Sequence, residues 1–221
     1  MDTASPDEMA RLRQAVVACA ADGPDGAAAA RVATVLAAEL RLRVVVLVEG
    51  ESDRAAVEAL AHRRGRDLAT EAVCVVPIGG ATSIRRFLAV VGPGGLDVGL
   101  AGLVDRAELR FFRRALEDVG VGLAGFFVCD ADLEDELIRA LDVSGVESVV
   151  AAEGELGKLR TFEHQPAQRH RPQADRLHRF LGTHSGRKAQ YARALVQALP
   201  LDRVPRPLDD LLTYVGPRLE E

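Results

Sequence analysis

The sequence predicts an α/β fold, a mainly parallel sheet flanked by helices, with a helical hairpin in front and further helices behind. Short apolar, β-branched runs such as RVVVLV (43–48) and VCVVPI (73–78) read as strands buried on both faces. The main runs close on Gly or an acidic residue and lead into helical segments. The joints are short, so strand and helix alternate as a parallel sheet requires.

Ser5-Pro6 reads as an N-cap followed by proline at the first helical position, opening a helix to about Ala21. Gly23-Pro24 breaks it, and an Ala-rich helix follows from about Asp25 to Leu40. Residues 1–41 are thus an expected hairpin. The strand after Arg43 ends at Glu49-Gly50, and an amphipathic helix runs from about Asp53 to Arg64. Val73–Ile78 is a strand, Gly79-Gly80 a turn and Ser83–Val91 a helix. Gly99–Val104 ends in Asp105, with a helix to about Asp118. Gly122–Cys129 ends in Asp130, with a helix to about Leu141. Val146–Ala151 is predicted as a fifth, short strand, so the core covers 42–152. Gly154, Gly157, Pro166 and Pro172 mark 153–173 as irregular. Helices are predicted over 173–181, 186–199 and 208–215, making 153–221 a basic linker with C-terminal helices.

The 221 residues are 48% hydrophobic and 28% charged, which excludes a disordered chain. No apolar run reaches membrane-spanning length, so no membrane association is expected. Aromatic residues make up 4% and Trp is absent, which argues against stacking platforms for single strands. The net charge of -5 argues against nucleic acid on its face, but it hides an asymmetry. Between Lys158 and Lys188 eight basic residues oppose two acidic ones, a local +6 that leaves -11 elsewhere. Four of the five histidines lie there too, irregularly spaced, so histidine is kept out of the ligand set. Cys19, Cys74 and Cys129 show no metal-ligand spacing and sit in apolar runs, as buried thiols do. That usage, with no basic leader at the N-terminus, makes the expected location cytoplasmic.

The acidic residues gather at strand ends, where parallel sheets bind ligands. The first strand ends in Glu49-Gly50-Glu51-Ser52-Asp53, the third in Asp105 with Glu108 beyond it, and the fourth in Asp130-Ala131-Asp132-Leu133-Glu134. Carboxylates so close repel one another unless cations or protons neutralise them. Oxygen-rich sites suit Mg²⁺ or Mn²⁺. Helix capping is the competing explanation for Asp53, Asp105 and Asp132. It does not account for Glu49, which precedes the helix start.

The block Val48-Glu49-Gly50-Glu51-Ser52-Asp53 resembles the first motif of the TOPRIM domain, the catalytic Rossmann-like fold of topoisomerases, primases and several nucleases. Leu103-Val104-Asp105 resembles the start of its Asp-x-Asp motif, and the valine-rich second strand before Gly79-Gly80 fits as well. Asp132-Leu133-Glu134 and Lys188 look most like the OLD (overcoming lysogenization defect) nucleases. The resemblance covers about 43–195. The sequence departs from the pattern at Ala107, where the second Asp of Asp-x-Asp would fall; Glu108, one residue further on, or Asp132 with Glu134, is the candidate replacement. OLD nucleases usually carry an ABC-type ATPase in front of the TOPRIM domain. No Gly-x-x-x-x-Gly-Lys-Ser/Thr loop is present, so an ATPase would be a separate partner.

The resemblance implies phosphodiester hydrolysis on nucleic acid, DNA before RNA, by an endonuclease or nickase with two ions, Mg²⁺ or Mn²⁺. Glu49, Asp53 and Asp105 would hold one ion, and Asp132 with Glu134 the second. Glu49 is also the candidate acid or base, and Lys188 the cation facing the scissile phosphate. Glu51 is read as solvated. Arg169, Arg171, Arg176, Arg179 and Arg187 would hold the backbone without reading sequence. Two alternatives stay open: a binding or regulatory TOPRIM module with a decayed site, marked by Ala107, and a small-molecule phosphotransferase.

Overall fold

The computed structural model describes residues 5–182 and 187–216. His184 and Gly186, the predicted start of a helix, lie outside them. The elements are α1 (Pro6–Ala20), α2 (Gly26–Glu39), β1 (Val44–Val48), α3 (Glu51–Arg63), β2 (Val73–Pro77), α4 (Ile84–Val91), β3 (Gly99–Asp105), α5 (Leu109–Asp118), β4 (Phe126–Cys129), α6 (Leu133–Ala152), α7 (Leu156–Glu163), α8 (Gln173–Gly182), α9 (Lys188–Ala198) and α10 (Arg206–Tyr214).

Local signals set the helix starts. Ser5 and Glu8 form a capping box, in which the Ser5 hydroxyl accepts from the Glu8 N–H and the Glu8 carboxylate accepts from the Ser5 N–H. Pro6 then occupies the first helical position. β1 is buried along its whole length. Val44, Val46 and Val48 enter one core layer with α3, α6, α9 and α10, and Val45 and Leu47 enter the other with α1, α2, α4 and α5. That period of two is why the run is apolar throughout.

The four strands pair in parallel in the order β2-β1-β3-β4. The chain leaves β1 for one side, then crosses to β3 on the other. The order therefore reverses between β1 and β3, the place where open α/β sheets bind ligands. The Gly79 N–H donates to the Glu49 carbonyl at 3.0 Å, which ties the exit of β1 to the glycine turn after β2.

Two sequence expectations are overturned. Val146–Ala151 is not a fifth strand but part of α6, where Val146, Val149 and Val150 are buried at helical spacing. The predicted helix end near Leu141 survives as a kink, with Asp142 at φ 62° and ψ 164° inside the element. Residues 153–173 are not wholly irregular, because α7 forms and buries Leu159 completely.

The C-terminal helices carry residues 188 onward back to the sheet. α9 packs along α3, and Arg63 of α3 donates to the Val196 and Leu199 carbonyls at 2.6 and 2.5 Å. α10 covers β3 and β4.

Gly102 in β3 is a close-approach position. A Cβ there would lie 2.5 Å from the Leu47 carbonyl oxygen and 2.9 Å from the Phe126 ring. Gly102→Ala is expected to cost about 1–3 kcal/mol by overpacking. Urea denaturation measures this, and an unchanged midpoint contradicts the packing described.

Candidate functional site

The ends of β1, β3 and β4 bring carboxylates to the edge at the reversal point, while β2 runs into the glycine turn at Gly79-Gly80. Glu49 follows β1 directly, Asp105 closes β3 and Glu108 comes one turn later. One oxygen from each of Glu49, Asp105 and Glu108 lies within 4.8 Å of the others. The Asp53 carboxylate accepts the Gly50 N–H at 2.9 Å, so it caps α3 from inside the helix while 9% exposed. Asp132 is the N-cap of α6 and accepts the Asp135 N–H at 2.8 Å. Glu49, Asp53, Asp105, Asp132, Glu134 and Lys188 line one cleft of about 360 Å³.

Charge repulsion marks the cleft. Burial, then the charge on Glu134, raises the Asp53 pKa from its ordinary value to about 7, with Glu49 and Asp132 adding to it. Burial, then a hydrogen bond with Glu49, raises Asp105 to about 8. Such a bond between two carboxyls needs a proton on one of them. Glu108 is raised by burial and by Glu49, while the Ala81 N–H opposes the shift. Asp132 goes the other way. Burial raises it, but the hydrogen bond from His178, the Asp135 N–H and the charges of His178 and Lys188 outweigh that and lower it.

The donor set fits hard cations. A buried Glu134 oxygen, Oε1, has no hydrogen-bond partner among the described residues. An anionic oxygen left so, beside other carboxylates, is stabilised by a cation and by little else.

Sequence reasoning therefore placed Glu49, Asp53, Asp105, Asp132, Glu134 and Lys188 around one cleft. Glu51 also lines the cleft, but its side chain is 60% exposed and paired with Arg54. Asp130 is spent outside, on Arg106 and Arg139. Glu108 and His178 stand beside this set. Glu108, the substitute the sequence offers for the aspartate absent at Ala107, sits in the turn before α5, which brings its carboxylate to Glu49 and Asp105. His178, whose Nε2 lies 2.7 Å from Asp132 Oδ2, comes from 46 residues away and leaves no local signal. The basic segment is partly consumed internally. Glu155 holds Lys158, Arg187 and the Tyr191 hydroxyl, and Glu147 with Glu163 holds Arg160. Arg169 and Arg171 donate through Nε to the His164 and Ala167 carbonyls, Arg176 faces the charge of Glu147, and Arg179 is exposed. Cys74 and Cys129 are buried thiols, with burial pushing Cys74 up to about 12.

Residues 42–105 match the family described as the TOPRIM domain of overcoming lysogenization defect protein-like proteins. This stretch is an OLD-like TOPRIM domain. The family is of nuclease type. Among solved structures, the C-terminal region of the Xanthomonas campestris pv. campestris OLD protein is similar, with a TM-score of 0.63 at 24% identity over 80% of this chain and 93% of that one. A second structure of that region gives 0.61 at 25% identity, covering 78% of this chain and 94% of the other. The C-terminal region of the Burkholderia pseudomallei OLD protein gives 0.61 at 22%, covering 79% and 97%. No curated protein sequence matches the chain. The TOPRIM match ends at Asp105, so Asp132, Glu134 and Lys188 stand on geometry. No helix among the described residues is long and apolar enough to cross a membrane.

The raised carboxyls fix a sign for pH. Asp53 and Asp105 bind protons more tightly folded than unfolded, so their ionisation costs stability as pH climbs from about 4 to about 7 and 8. His178, raised first by its hydrogen bond to Asp132, also loses its contribution as pH rises through its folded pKa. In chelator, the melting temperature is expected to fall by several degrees from pH 5.5 to 8.5, at roughly 2–4 °C per kcal/mol for this size. Asp53→Asn should flatten the profile, and Mn²⁺ should restore stability at the alkaline end. A flat or rising profile for the unaltered chain contradicts the electrostatics above.

Proposed function

We propose that this chain is a metal-dependent nuclease that hydrolyses phosphodiester bonds of DNA, as an endonuclease or nickase, using two Mg²⁺ or Mn²⁺ ions. The carrying observation is the crowding of Glu49, Asp105 and Glu108 at the sheet reversal, beside the Glu134 oxygen that has no hydrogen-bond partner among the described residues. Glu49, Asp105 and Glu108 would hold one ion, and Asp132 with Glu134 the other, with Asp53 between the two groups. When bound, two such ions activate water and stabilise the leaving oxygen.

The protein's own groups do the rest. Asp53 fixes the Gly50 turn, and so the direction of Glu49, through its bond to the Gly50 N–H. Glu49 shares hydrogen bonds with Asp105 and Glu108, which puts it in place to hold or pass a proton. Lys188, at the start of α9, brings a positive charge to the rim for the scissile phosphate. Arg179 and the outward N–H groups of Arg169 and Arg171 would position backbone phosphates, with Arg176 and Arg187 nearer the body. Ala107 does not empty the site, because Glu108 supplies a carboxylate in its place. An ABC-type ATPase would act as a separate partner.

Supercoiled plasmid incubated with Mg²⁺ or Mn²⁺, with and without such an ATPase, tests the reading on a gel. Nicked or linear product is expected, and Glu49→Gln with Asp105→Asn should slow its formation by about 10²-fold or more. No product under any ion, or full activity in the double variant, refutes it.

His178 is expected to orient Asp132 rather than to bind an ion. His178→Ala should weaken Mn²⁺ binding by about 10- to 100-fold in a calorimetric titration. Unchanged affinity would remove His178 from the site.

A further inference from the structure

α5 (LRFFRRALED) buries Phe112, Ala115 and Leu116 and turns Arg110, Phe111, Arg113 and Arg114 outward. Phe111 is 39% exposed, and the Arg110 guanidinium lies 4.8 Å from its ring centroid. Arg110, Arg113 and Arg114 make no salt bridge among the described residues, in contrast to Lys158, Arg160 and Arg187. On the facing helix α4, Arg85 pairs with Asp118 and Arg86 donates to the Ser83 hydroxyl. A cleft of about 300 Å³ lies between the helices, lined by Ala81, Thr82, Ile84, Arg85, Phe111 and Arg114.

This cleft adjoins the acidic one. Gly80 lines the acidic cleft and Ala81, the next residue, lines the basic one. The Ala81 N–H donates to the Glu108 carboxylate, so a single peptide unit joins the two. A polyanion cannot lie against bare carboxylates, and it needs cationic contacts immediately beside the metal-binding residues. Guanidinium groups with no salt bridge among the described residues offer such contacts, in a fork geometry that matches phosphate. An exposed ring stacked by arginine offers a face for one base. The 4% aromatic content excludes a platform of many rings but not a single one. Stacking on Phe111 requires a base that is not in a duplex.

We infer that the α4–α5 cleft is a second binding site, one that takes a single-stranded segment of nucleic acid flanking the bond to be cut, with phosphates on Arg114 in the cleft and Arg110 beside it and a base on Phe111. The inference rests on the nuclease reading and deepens it, since it gives the site a strand preference and a direction of entry.

Fluorescence anisotropy tests it on the full chain with Ca²⁺, using labelled oligo-dT, oligo-rU and a matched duplex. The unaltered chain should bind oligo-dT more tightly than duplex. Phe111→Ala should lose on the order of tenfold for single strands and little for duplex. Arg110→Ala with Arg114→Ala should weaken binding and reduce the salt slope by about 1.4, two phosphate contacts on a single strand. Mn²⁺ affinity, read by calorimetry, should stay unchanged in all variants, which shows that the fold and the acidic site persist. The rU arm separates RNA from DNA as the source of the segment. Single-strand binding retained by both variants, or lost equally for duplex in Phe111→Ala, overturns the α4–α5 site and leaves the nuclease reading standing. No binding of any probe by the unaltered chain overturns both.

Discussion

Repulsion between carboxylates at the reversal point is the constraint on which the rest of the molecule depends. A parallel sheet sends the carboxyl ends of all its strands to one edge, and here those ends bring Glu49 and Asp105, with Glu108 one turn on, into mutual reach. Asp53, 9% exposed, stands among them with its pKa raised to about 7, burial being the first cause. A fold does not keep such an arrangement unless other interactions hold it in place. They come from the sheet itself, with β1 buried on both faces, and from local bonds such as Asp53 to the Gly50 N–H.

Compensation arrives from distant parts of the chain. His178 from α8 and Lys188 from α9 bring positive charge to Asp132, on the rim opposite the strand-end cluster. Their positions are secured by interactions with no catalytic content. Glu155, 7% exposed, gathers Arg187 and Tyr191 around the first turns of α9, and Arg63 closes that helix's far end. Much of the +6 segment is therefore an internal scaffold, which a charge count cannot distinguish from a binding surface.

The strand-helix alternation was legible because β1 and β2 are short, β-branched and bounded by glycine or acid. Every strand-end carboxylate was legible for the same reason. Val146–Ala151 was not, since six residues rich in valine fit a buried strand or a buried helix equally well, and only packing on the sheet decides. α7 was hidden by Gly154 and Gly157, one ending the previous helix and the other tolerated within the new one. His178 escaped because its contact with Asp132 spans 46 residues. The outward face of α5 escaped because net charge averages it against acidic residues elsewhere.

The packing of α9 against α3 also bears on the order in which the molecule comes into being. The anionic strand ends are complete once β4 and the start of α6 have been made, whereas Lys188 belongs to a helix synthesised more than fifty residues later. Because chains emerge from the ribosome N-terminus first, every carboxylate of the cleft is synthesised before the lysine that faces it. Since α9 shares one core with β1, α3 and α6, the arrangement becomes whole only when the C-terminal helices dock.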